Sequence, residues 1–272
     1  MQQLGTPIHW TLRAWFGAEV LFAILASTSF GLFPSSTNET TAWNVKPEVM
    51  SAVLGAFYFS AGSVSVMPIA ARRWEMVRVI VIPLIVFTFI ETVVTVLHWD
   101  RFNTGTLAFA VWLISYILPP PILLACYLWH ERRTTHASWT PDNPLPLALR
   151  RFLQIAGALL CLEALWTLLH PDWITSSAPW TFTPLSARVF AGFLLGLGVM
   201  LLSIARENDH DRVRLASPFL ILSLPAAMFQ TYRFSEQVNW SHPRLWIFSA
   251  ILALIGAVGL YLARGDWRRS LS

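Results

Sequence analysis

Eight stretches of this chain are each long and apolar enough to cross a bilayer, and no water-facing fold can hide that many. They run roughly 13–33, 48–70, 77–97, 106–129, 151–169, 187–205, 215–233 and 245–263. About 20 mostly apolar residues make one spanning helix, and helix is required because lipid offers the backbone no hydrogen-bond partner. The composition agrees, with 55% hydrophobic and 12% charged residues and a mean hydropathy of +0.54, far from the usage of a soluble domain. The expected class is an all-α transmembrane protein.

The eight segments divide into two sets of four. Pro34, Trp43, Pro47 and Gly55 recur, shifted by 137, as Pro171, Trp180, Pro184 and Gly192, and Leu12-Arg13 recurs as Leu149-Arg150. The expected organisation is therefore two tandem four-helix repeats, 1–130 and 150–272, joined by a polar linker over 131–149 that carries Pro141, Pro144 and Pro146. Four crossings per repeat leave both copies in one orientation, so this is not an inverted repeat.

Basic residues set the expected sidedness. With the amino terminus on side one, that side holds 14 of the 19 Lys and Arg residues and the other holds Lys46, Arg101, Arg188, Arg233 and Arg244. The positive-inside rule then puts both termini in the cytoplasm. A pI near 9.5 is compatible with nucleic acid, but the basic residues sit at helix ends and form no aromatic-laced patch. The lipid bilayer is the expected partner, and nucleic acid is not. No signal-peptide cleavage is expected after the first segment, because its counterpart from Arg151 is an internal span and Glu19 interrupts its apolar run.

Within the spans, ionisable and polar residues carry the chemistry. Thr88, Glu91, Thr95 and His98 follow one another at spacings of three, four and three, which places them on one face of the third helix. A carboxylate at that depth costs on the order of 3 kcal/mol to insert, so it is expected to face a partner or a wet cavity rather than lipid. The functional reading is a proton- or cation-binding group; the bland one is a neutral acid bonded to a neighbouring helix. Pro119-Pro120-Pro121, near the middle of the fourth segment, removes three backbone donors and predicts a kink or break, and broken helices line substrate sites in many transporters. Glu91, Thr88, Thr95, His98 and Pro120 are thus the candidate substrate- or ion-binding residues. Glu19 and Glu163 are further intramembrane carboxylates without symmetric mates, and Gln230 is a weak counterpart of Glu91 in the second half.

Other features have plainer readings. Trp43 and Trp180 are expected to anchor helix starts at headgroup level, and the glycines of the second and sixth segments to let helices approach. Cys126 and Cys161 lie in different spans and read as small hydrophobes. His98, Asp100, His170 and Asp172 lie on one side, where polar interfacial residues are the expected reading and a metal site would require all four to converge. No phosphate loop, dinucleotide fingerprint or zinc spacing is present, so no catalytic residue and no cofactor is assigned.

Trp43-x-x-x-Pro47 leading to Gly55, Leu97-His98-x-Asp100-Arg101-Phe102, and the echo Trp180-x-x-x-Pro184 leading to Gly192 resemble a group of bacterial multi-spanning membrane proteins with no assigned activity. The resemblance implies a bacterial cytoplasmic membrane and transfers no site residues. Three functional classes follow from the residues themselves. The first is a transporter-like protein moving a small or amphiphilic substrate near helices 3 and 4. The second is a structural or assembly protein without a substrate. The third is a lipid-processing enzyme built on His98, Asp100 and His170.

Overall fold

The computed structural model describes residues 6–134, 140–265 and 267. Placement of the first five residues, Arg268, Arg269 and Ser270 falls outside them. The described chain is helical, without a strand, and contains eight helices able to span a membrane: α1 (Trp10–Leu32), α2 (Glu48–Ala70), α3 (Trp74–Leu97), α4 (Leu107–Glu131), α5 (Leu147–Leu169), α6 (Pro184–Glu207), α7 (His210–Arg233) and α8 (Pro243–Leu262).

Local chemistry starts and stops these helices. Thr106 caps the first turn of α4 by accepting from Phe109 N at 3.2 Å. Thr183 does the same for Ser186 at 3.1 Å, ahead of Pro184 in the first turn of α6, where a missing N–H costs nothing. α6 ends on Asn208 in the left-handed region, φ 53°, a conformation Asn tolerates at helix ends. α1 widens into a π-helical turn over Ser27–Leu32. α4 breaks between Ile117 and Pro119. Because Pro120 has no N–H, the Tyr116 carbonyl loses its partner four residues on, and Thr92 Oγ1 of α3 donates to it instead at 2.6 Å.

Packing interleaves the two halves. α1 lies on α2 and α5 on α6, but α2 then packs along α7, and α3 along α6. α4 covers α3 and α8 covers α7. α2 and α6 are the most enclosed helices, whereas α1, α4, α5 and α8 form the lipid-facing periphery.

The connections on each face follow matching patterns. On one face Pro7 bridges Arg73 and Pro144 bridges Asp209, while Trp74 N donates to Thr6 O and His210 N to Asn143 O, both at 2.8 Å. On the opposite face Asn103 N donates to Ala42 O at 2.8 Å and Asn239 N to Pro179 O at 2.7 Å. Each pair is offset by 137 before the second span and by 136 after it.

Trp43 departs from its expected place. It is 2% exposed and packs against Phe30, Phe102 and Trp112. The loop between α1 and α2 folds inward over the helix ends, so this indole fills the core and does not anchor the chain in the headgroups. Trp180 is half-buried, stacks on Phe182 and donates to Met50 Sδ at 3.4 Å.

Candidate functional site: a buried carboxyl between helices 3 and 6

Glu91 points into the protein. Its side chain is fully buried and lies over Gly192 of α6, where a Cβ would collide with Oε1 and stand 3.2 Å from Cδ. The glycine therefore makes the space the carboxyl occupies. Among the described residues neither carboxyl oxygen has a hydrogen-bond partner. An unpaired ion there would cost several kcal/mol.

The remaining members of the stripe do not join Glu91 as ligands. Thr88 Oγ1 donates to Leu84 O at 2.8 Å and Thr95 Oγ1 to Glu91 O at 2.7 Å, the back-bonding habit of helical threonines. Thr95 also accepts from Trp112 Nε1 at 2.9 Å, tying α4 to α3. His98, just past α3, faces Arg188 of α6, with Nε2 2.8 Å from Nη1. Arg188 Nε in turn donates to Leu168 O at 2.9 Å, closing the end of α5. Burial and then the Arg188 guanidinium hold the His98 imidazole below its ordinary value, against a weaker pull from Asp100. Pro120 acts through the Tyr116 carbonyl it leaves open, one turn beyond the tyrosine ring.

That ring belongs to a feature the sequence reading passed over. Tyr58 of α2 and Tyr116 of α4 are fully buried and share a hydroxyl–hydroxyl bond of 2.7 Å. Phe22, Phe87 and Phe193 surround the pair. The available signal was two phenol hydroxyls within apolar runs in a chain with five tyrosines. Glu19 is also buried and borders a cavity of about 50 Å³ with Pro83 and Phe87 of α3 and Gly196 of α6. Two carboxyls therefore lie at different depths along the seam between α3 and α6.

Gln230 lies in the last turn of α7, with Oε1 3.4 Å from Arg233 Nη1. His98 N closes α3 on Val94 O, whereas Phe234 N closes α7 on Gln230 O. His98, Asp100, His170 and Asp172 form no metal-sized group among the described residues. Asp100 pairs with its neighbour Arg101 at 3.1 Å in the open, His170 packs on Trp166, and among the described residues no three His, Cys, Asp or Glu side chains form a metal-sized group.

The opposite face carries a second polar assembly, read from sequence only as a topology signal. Arg78 of α3 grips Glu207 of α6 through Nε to Oε2 at 2.6 Å and Nη2 to Oε1 at 2.5 Å, both residues nearly fully buried. Arg212 approaches the same carboxylate at 3.5 Å and Asp142 of the linker at 3.2 Å. Asp209 accepts from the Asp142 and Asn143 amides at 2.7 and 3.2 Å. The bidentate geometry offsets the cost of desolvating the ions and locks the ends of α3, α6 and α7 together.

Eight apolar helices closed over an unpartnered carboxyl fit one class, an integral multi-pass membrane protein. Compared with known proteins, the chain matches no family model, no curated protein and no solved structure. Its function therefore rests on its own geometry.

Proposed function

We propose that the protein is transporter-like, moving a small or amphiphilic substrate across a bacterial cytoplasmic membrane with Glu91 as its proton-binding group. The observation that carries this reading is the Glu91 carboxyl, enclosed between α3 and α6 with neither oxygen bonded. A group so placed ionises only when a partner or water reaches it, which couples its protonation to helix movement. Glu19 beside its small cavity extends the polar seam towards the other face. The break in α4 and the π-helical turn in α1 are deformable points next to that seam.

A second reading, a scaffold without substrate, is favoured by the aromatic packing among α2, α3 and α6, in which Phe57, Phe87 and Phe193 interlock. Infrared spectroscopy of the reconstituted protein separates the two. For a transporter, the carboxyl C=O band lost in Glu91→Gln exchanges in D2O and titrates with pH. A band that neither exchanges nor titrates makes Glu91 a fixed packing group and overturns the transporter reading.

Tandem duplication is part of the same proposal. Its support is the 137 shift in sequence together with the paired bridges and loop bonds at offsets of 136 and 137. The two copies then exchange partners, α2 with α7 and α3 with α6. The basic face bearing Arg78, Arg212 and the linker is the cytoplasmic one in this reading, with both termini on it.

A further inference from the structure

α5 and α8 do not close over the helices beneath them. Between them runs a groove of about 580 Å³, within the ~300–1,000 Å³ typical of ligand sites. Its walls are Ile155 and Leu159 of α5, Leu194 of α6, Leu224 of α7, and Phe248 and Leu252 of α8. The hydroxyls that border it are already occupied, since Thr231 donates to Ala227 O at 2.8 Å and Ser249 to Leu245 O at 2.7 Å. In the first half the matching place is shut. Phe22 of α1 packs edge-on to Tyr116 of α4, with ring centroids 5.6 Å apart, where the second half has Leu159 and Leu252.

Opposite charges border the groove. Arg244, at the start of α8, lays its guanidinium over the Trp173 ring at 4.4 Å. The same indole donates through Nε1 to Glu163 Oε1 at 3.1 Å. The ring thus stands between the cation and the carboxylate, and among the described residues they form no ion pair with each other or with another side chain. Glu163 lies six residues before the end of α5, roughly 9 Å below it, while Trp173 and Arg244 sit at the helix ends. An apolar trough with separated positive and negative groups at one end matches an amphiphile with a zwitterionic head.

We propose that this groove is a site for an aminophospholipid. One acyl chain lies along the leucine wall, the phosphate meets the Arg244 guanidinium, and the primary ammonium meets the Glu163 oxygen not held by Trp173. A guanidinium suits a phosphate through paired N–H donors. A carboxylate can accept from a primary ammonium, whereas a choline head has no N–H to give it. The site is independent of Glu91.

The test is native mass spectrometry of the delipidated full chain with phosphatidylethanolamine, phosphatidylglycerol and phosphatidylcholine of identical acyl chains. Phosphatidylethanolamine is expected to be retained about tenfold better than either, the worth of one charge-assisted bond. Glu163→Gln should erase the preference over phosphatidylcholine while leaving binding, and Arg244→Gln should weaken all three. Ala156→Trp, at a half-buried position on the groove wall, should block every head group without entering the core, so the proposal stays testable if the Arg244 variant fails to fold. Equal retention of the three lipids, a preference for phosphatidylglycerol, or binding untouched by Ala156→Trp would overturn it.

Discussion

Replacing Gly55 with alanine tests how closely α2 lets the end of α1 approach. A Cβ at Gly55 would stand 2.5 Å from Gly31 Cα and 3.0 Å from Phe30 C, both backbone atoms of the π-helical turn. Carbon atoms settle near 3.5–4.0 Å, so the end of α1 must retreat by about 1 Å. Three bonds hold it in place: Ser51 Oγ to Phe30 O at 2.9 Å, Arg233 Nη1 to Gly31 O at 2.7 Å and Arg233 Nη2 to Leu32 O at 3.1 Å. Overpacking costs about 1–3 kcal/mol, and strain on these bonds adds about 1–2 kcal/mol. The better helix propensity of alanine returns about 1 kcal/mol. The expected net loss is about 1–4 kcal/mol, read from equilibrium unfolding in mixed lipid–detergent micelles by circular dichroism. Gly192→Ala is the internal comparison. It lies 137 residues further along the chain, yet its Cβ meets the movable carboxyl of Glu91, so truncating that side chain with Glu91→Ala should relieve the strain. A double-mutant cycle should show coupling on the order of 1–2 kcal/mol. A Gly55→Ala protein within about 0.5 kcal/mol of wild type, or additive Gly192 and Glu91 changes, would refute the close-approach argument.

The other expectations follow from charge and sidedness. Glu207→Ala removes the carboxylate that buried Arg78 grips and should cost about 3–5 kcal/mol in the same unfolding assay, with Arg78→Met alongside returning part of it. His98 titrates below its ordinary value when folded, so the unfolded chain binds its proton first as pH falls. Its contribution to stability is therefore intact above pH ~6.5 and lost as pH drops through that value towards the folded one. Melting curves across that window should flatten in His98→Asn, and an unchanged slope would remove the Arg188 contact from consideration. Single cysteines at Asn38 and Ser176, with Cys126 and Cys161 replaced, should react with an impermeant maleimide in intact cells while one at Asn143 stays silent. The reverse pattern would invert the proposed orientation.

Hydropathy placed all eight spans close to where they fall, with the largest shift at α7, which begins at His210 rather than near 215. That success has a simple origin: crossing a bilayer is a property of consecutive residues, summed along the chain. The inward direction of Glu91 was legible for a related reason, because a carboxyl facing lipid tails is too costly to survive. The destination of the threonine hydroxyls was not. Thr88 and Thr95 share the face of Glu91, but a helical hydroxyl finds a carbonyl one turn back before it reaches a neighbour.

By itself, then, the sequence determined the class, the number of crossings, the charge asymmetry and the depth of each polar group. Tertiary structure alone decided which helices meet. It put α2 against α7 and α3 against α6, turned Trp43 inward and left the groove between α5 and α8 open. Every spanning helix is apolar on most sides, so no hydrophobic stripe marks its neighbour. Partner choice instead depends on where small residues such as Gly55 and Gly192 let another helix come close, and that fit exists only once segments far apart in the chain are side by side.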